Sequence, residues 1–185
     1  MRLLFLCAFA LVLLGTALPA AASDWLLTAV PQTEGKRGQV LDISRPFHVI
    51  LTNATNHNLV VWKDWCSWGY FNLSFEFKGK DGKIIKVEKD TRVGWTRNGP
   101  AEFVVLPGCA YTFTIDLLGS NTKWTNVLDL HGAMTMQAIY KNTNEAFTGA
   151  KPNPQNKFPA DMQKLFDSAW IGQVKSQAIP VIISR

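Results

Sequence analysis

From Phe47 onward the chain is a series of short runs in which apolar side chains recur at every second position, separated by turn-forming residues. Phe47, Val49 and Leu51 are spaced by His48 and Ile50, and the polar stretch Thr52–Asn58 ends the run. Leu59 to Trp62 is a brief apolar segment. Phe71, Leu73, Phe75 and Phe77 then alternate with Asn72, Ser74 and Glu76, the period-two pattern of a strand with one buried face. Lys80-Asp81-Gly82-Lys83 predicts a hairpin turn, with Asp-Gly supplying the positive-φ positions, and Ile84, Ile85 and Val87 form the return strand. Phe103 to Leu106 runs into the turn Pro107-Gly108. Tyr111, Phe113, Ile115 and Leu117 alternate with Thr112, Thr114 and Asp116. Met134, Met136, Ala138 and Tyr140 alternate with Thr135, Gln137 and Ile139, and Ile179 to Ile183 closes the series. The pattern predicts an all-β protein, an antiparallel β-sandwich of seven to eight strands. One helix is expected, from Pro159 to Ala169, where Met162, Leu165 and Phe166 fall at helical spacing. It lies in the long connection 141–170 before the last strand, a length that in compact domains usually signals function or mobility.

The first 22 residues follow another logic. Arg2 precedes an unbroken apolar run from Leu3 to Leu14, too short to span a bilayer, and Ala20-Ala21-Ala22 forms an A-x-A cleavage pattern. This predicts a signal peptide over 1–22, cleaved after Ala22, and a single domain over 23–185 that is secreted or periplasmic, with no membrane span once the leader is gone. The formal charge is +5, of which Arg2 belongs to the leader, and no run of five like charges occurs, so the sequence does not read as a nucleic-acid binder.

Phe47 to Leu59, FHVILTNATNHNL, resembles the strand and polar turn of immunoglobulin-like and fibronectin-III-like modules. Phe75 to Lys83 looks like their central hairpin, Val105-Leu-Pro-Gly108 like the turn before a strand, and Gly132 to Tyr140 like the penultimate strand. The Asn-rich turn and the Asp-Gly hairpin are also similar to the BsuPI-type proteinase-inhibitor domain. The resemblance implies an immunoglobulin-like sandwich of the kind found in secreted bacterial proteins and, as one functional option, protease inhibition. It supplies no functional residue.

Lys63 to Phe71, KDWCSWGYF, is the densest chemistry in the chain. Outside the leader, Cys66 and Cys109 are the two cysteines, and an oxidising compartment favours a disulfide between them over two buried thiols. In a sandwich the strand 111–117 runs antiparallel beside 47–51, which brings Cys109 to the end of the sheet where the segment with Cys66 is expected; a bridge there is worth roughly 4 kcal/mol. An additional strand at Leu59–Trp62 would reverse that geometry. Trp65 and Trp68 either roof this end of the core or stay exposed to contact a partner, with Trp95 and Arg97 of a second loop beside them. His131, Met134 and Met136 suit a soft metal less well than they suit a core-facing strand, and nothing unites the three histidines. No nucleophile elbow or Cys-His arrangement is present. The sequons at Asn53 and Asn72 read as incidental. The expectation is a non-enzymatic binding or adaptor module, without metal or cofactor, contacting a protein or glycan at the cell envelope. Its alternatives are a secreted protease inhibitor and, less favoured, a cell-wall or carbohydrate hydrolase.

Overall fold

The computed structural model describes residues 23–31, 40–94, 99–119, 123–143 and 160–184. Its strands are β1 (Trp25–Pro31), β2 (Leu41–Asp42), β3 (Phe47–Asn53), β4 (Leu59–Trp62), β5 (Leu73–Lys78), β6 (Ile84–Val87), β7 (Glu102–Val105), β8 (Ala110–Ile115), β9 (Gly132–Asn142), β10 (Gly172–Lys175) and β11 (Ile179–Ile183). One helix, α1 (Ala160–Ser168), precedes β10. The protein is all-β, and each segment expected from alternation contains a strand, although Phe71 lies in the turns before β5 and Leu117 beyond the end of β8. Three further strands escaped that pattern. In β1 an apolar Leu26 points outward beside the buried Leu27, β2 is two residues long, and β10 is a separate piece of the final strand.

The strands form a three-stranded antiparallel sheet, β1-β3-β8, and a six-stranded one, β2-β11-β9-β5-β6, with β10 also paired to β9. Between these strands all described pairings are antiparallel except β2 with β11. β10 and β11 follow the same side of β9, at Asn142–Ile139 and Met136–Gly132 respectively. Between them Ser176 keeps the ladder closed: its N–H donates to Ala138 O, and its Oγ accepts from Ala138 N at 2.9 Å.

The inner faces of the two sheets share one core. Phe47 of β3 meets Phe75 of β5 edge-on at 5.8 Å between ring centres, and Phe113 of β8 lies 5.9 Å from Tyr140 of β9. Met134, Met136, Ala138 and Tyr140 all face inward, as the alternation of β9 requires. Each large side chain buried this way contributes about 1.5–3 kcal/mol of transfer free energy, so the shared core dominates the fold.

Two local features set the margins. At the β5–β6 hairpin, Gly82 takes φ 81° while Asp81 Oδ1 accepts from Lys83 N, the turn chemistry expected of Asp-Gly. The outer margin of β6 is covered by the segment 124–126. Thr125 N donates to Glu88 O, and Asn126 Nδ2 donates to Lys86 O at 2.8 Å. Asn126 reaches that carbonyl from a left-handed backbone, φ 59°, a conformation asparagine tolerates better than most residues.

β4 and β7 form a separate two-stranded ribbon. This extra strand at Leu59–Trp62 reverses the geometry on which the disulfide expectation rested. Cys66 follows the Trp62–Glu102 end of the ribbon, and its Sγ faces Lys63 O and Ala101 O. Cys109 follows the Leu59–Val105 end, where its N–H closes a turn on Leu106 O. The four residues of β7 span roughly 10 Å between those ends, more than the Cα separation a disulfide tolerates. The Cys66–Cys109 bridge is therefore not formed: Cys66 is a buried thiol and Cys109 an exposed one.

Candidate functional site

The segment Lys63–Asn72 is a succession of tight turns. Cys66 N donates to Lys63 O, Gly69 N and Tyr70 N both donate to Cys66 O, and Asn72 N donates to Gly69 O. Gly69 is required by the closeness of this coil, because a Cβ there would collide with the backbone carbonyls of Trp62 and Lys63. The coil sends its two tryptophans in opposite directions. Trp65 is 62% exposed, with Lys63 Nζ 5.7 Å from its ring centre. Trp68 is only 8% exposed and packs with Trp62 and Phe166, at 6.3 and 5.7 Å. Cys66, Ala169 and Leu165 complete this small cluster, a satellite of the main core. Helix α1 is anchored over it at its C-terminal end by Trp170 N donating to Val60 O.

Trp68 therefore roofs a cluster, as one of the two readings of the sequence had it, but the roof covers thiol and helix instead of a disulfide. Of the two tryptophans of the coil, Trp65 is the one that stands in solvent. Trp95 and Arg97 lie outside the described residues, as do the leader 1–22 and residues 144–159 of the long connection.

The outer face of Trp68 borders a groove of about 350 Å³ on the solvent side of the six-stranded sheet. The walls and floor come from four strands and the coil. Ser74 and Glu76 of β5, Lys86 and Glu88 at β6, Ile139 and Lys141 of β9, and Gln173 and Lys175 of β10 present their outward-facing phase; Phe71 and Asn72 close the end next to Trp68. Cross-strand register sets the order. Lys175 is opposite Ile139, Ile139 opposite Ser74, and Gln173 opposite Lys141. The charges are partly matched, with Lys86 Nζ 2.5 Å from Glu88 Oε1 and Lys175 Nζ 3.6 Å from Glu76 Oε2.

Two groups packed around the coil have displaced ionisation. Lys89 is held under the rings of Trp124 and Tyr70, at 4.1 and 5.1 Å, and burial pushes its ammonium below the usual lysine value, against the pull of Asp64. Tyr111 donates to Asp64 Oδ1 at 3.3 Å; burial first, and the Asp64 charge second, push its phenol up to about 12. Both are consequences of packing around the coil, and neither lines the groove.

The metal and glycan candidates separate cleanly. His48 meets Thr114 Oγ1, His57 sits in the Asn-rich turn, and His131 contacts Asp129 O. Among the described residues no group of three or more His, Cys, Asp or Glu could hold a metal ion. Asn53 is fully buried, its Nδ2 donating to His57 O and Val105 O and its Oδ1 accepting from Thr55, so this amide serves the turn after β3. Asn72 is also buried, with Nδ2 3.4 Å from Tyr140 Oη. Neither nitrogen is presented to solvent for a glycan.

The groove residues were missed in the sequence because they are the polar phase of ordinary strands. The available signal was their density, with charged or amide residues on the same phase of β5, β6, β9 and β10. That becomes a site only when the sheet order is known. No protein-family description, curated protein or solved structure matches the chain, so the groove is interpreted from its own residues.

Proposed function

We propose that this is a secreted or periplasmic, non-enzymatic binding module that takes a protein or glycan of the cell envelope on the outer face of its six-stranded sheet. The observation that carries the reading is the groove itself, a concave site with an aromatic end, an apolar floor at Ile139 and convergent polar side chains. An immunoglobulin-like arrangement is supported by strand order. β1, β3 and β8 share one sheet; in the other, β9 lies between β5 and β11, with β6 beyond β5, as strands F, C, G and C′ do in such sandwiches. The covered margin of β6 argues against strand addition there and favours recognition by the face. A cleaved leader would deliver the module outside the cytoplasm.

Glu76 and Glu88 both line the groove, which gives the hydrolase alternative one specific observation. Glycoside hydrolysis needs a carboxyl group that delivers a proton to the leaving oxygen. Both carboxylates here are instead engaged by lysine ammonium groups, which suits binding better. Protease inhibition has no feature among the described residues that favours it over the groove.

The deciding experiment fills the groove. Ser74→Trp should abolish capture of envelope proteins and immobilised glycans while keeping the wild-type melting temperature, and Trp65→Ala should leave capture nearly intact. A folded Ser74→Trp protein that binds everything the wild type binds rules out the groove as the contact surface.

A further inference from the structure

Lys141 is the cation of the groove without a carboxylate partner among the described residues. Lys86 faces Glu88 and Lys175 faces Glu76, whereas Lys141 has Gln173 as its cross-strand neighbour and donates its backbone N–H to Asn72 O. The lining therefore carries three lysines against two glutamates, and the unmatched charge stands at the end where Trp68, Phe71 and Asn72 close the groove. Next to it, Ile139 supplies a small apolar floor, with Ser74 on one side and Lys175 on the other.

From this arrangement we infer that the groove binds an acid-bearing sugar, a mono- or disaccharide unit whose carboxylate pairs with Lys141. The inference rests on the binding-module reading and names the ligand class for the same groove. A pyranose ring has one apolar C–H face and a rim of hydroxyls. Ile139 and the half-buried Phe71 suit the face, and the side chains of Ser74 and Gln173 suit the rim. The volume, about 350 Å³, lies at the small end of ligand sites and fits one or two rings better than a long chain. An acidic sugar leaves both existing ion pairs intact and neutralises the remaining charge. A cationic sugar would have to displace a lysine from one of the glutamates.

Amide chemical shifts of the intact protein, followed during titration with glucose, glucuronate and glucosamine, test this directly. Glucuronate should move the Ser74, Ile139 and Gln173 amides and bind about fivefold more tightly than glucose, the size of a partly exposed charge pair. The preference should disappear in Lys141→Gln, an exposed substitution whose spectrum reports that the fold is kept, and should shrink at high salt. Equal affinity for glucose and glucuronate overturns the acid preference while leaving a sugar-binding module. Tighter binding of glucosamine, or a preference that survives Lys141→Gln, also overturns it. If no sugar moves the groove amides, or a tetraglutamate peptide does so where glucuronate does not, the sugar assignment falls. The groove-filling capture experiment then decides separately whether the module binds by this face.

Discussion

Phe75 and Phe166 both pack against other aromatic rings, yet they belong to regions built in opposite ways. Phe75 is fully buried between the sheets, with Phe47 of β3 at 5.8 Å and Trp124, itself bridged to Lys89, at 5.3 Å. Phe166 is half-buried on a nine-residue helix and meets Trp62 at 5.2 Å and Trp68 at 5.7 Å across a coil of turns. A helix this short has little stability of its own, so the satellite holds together only while α1 is docked. The difference bears on the proposed binding site, because Trp68 belongs to the satellite and also borders the groove. The rigid sheet supplies the floor; the less secure region supplies one end.

Substitutions can break or sharpen that contrast. The largest effect is expected for Phe75→Ala, a loss of about 3–5 kcal/mol in urea unfolding, with the whole protein unfolding in one transition. Phe166→Ala should cost less, about 1–2 kcal/mol, because the ring is only partly withdrawn from water. Hydrogen exchange should show α1 amides losing protection while those of β5 and β9 keep theirs. If β5 and β9 lose protection equally, the satellite is not a separate unit.

The Tyr111–Asp64 hydrogen bond joins β8 to the coil and gives the contrast a pH signature. Tyr111 keeps its proton in the folded state up to about 12, whereas the unfolded phenol ionises near 10. The unfolded state therefore binds fewer protons between these values, and the stabilisation present below pH 10 is lost as pH rises toward 12. All three tyrosines are raised, Tyr70 and Tyr140 mainly by burial, so wild-type stability should fall across that window. Urea midpoints for Tyr111→Phe should decline less steeply; an unchanged slope would mean that Tyr111 does not contribute.

The smallest effects are expected at the exposed positions. Trp65→Ala and Cys109→Ser should each stay within about 0.5 kcal/mol of wild type. A thiol reagent should label Cys109 in the native protein and Cys66 only after denaturation. Rapid native labelling of both would place Cys66 outside the satellite.

What could be read from the sequence follows the same division. β3, β5, β8 and β9 were legible because a strand buried on one face must alternate, and each inner residue reports its own burial. Leu165 and Phe166 gave α1 by the same logic at a different period. The satellite was not legible, because Trp68 packs on Phe166 from a distant part of the chain and no periodicity records that contact. The disulfide expectation failed at the same place. It assumed that β4 was not a strand, and the pairing of Leu59–Trp62 with Glu102–Val105 carried the two thiols to opposite ends of the ribbon. The groove was hidden for a third reason. Outward-facing polar side chains are the default on any strand, and only the order β10-β9-β5-β6 gathers these into one concavity.

Asn126 has a consequence beyond its own hydrogen bond. By occupying the Lys86 carbonyl with a side chain, it removes an acceptor that a neighbouring copy would need to extend the sheet sideways. Together with the Thr125 N–H on Glu88 O, this amide in a left-handed turn occupies the rim of β6 where a second copy of the chain would otherwise add a strand.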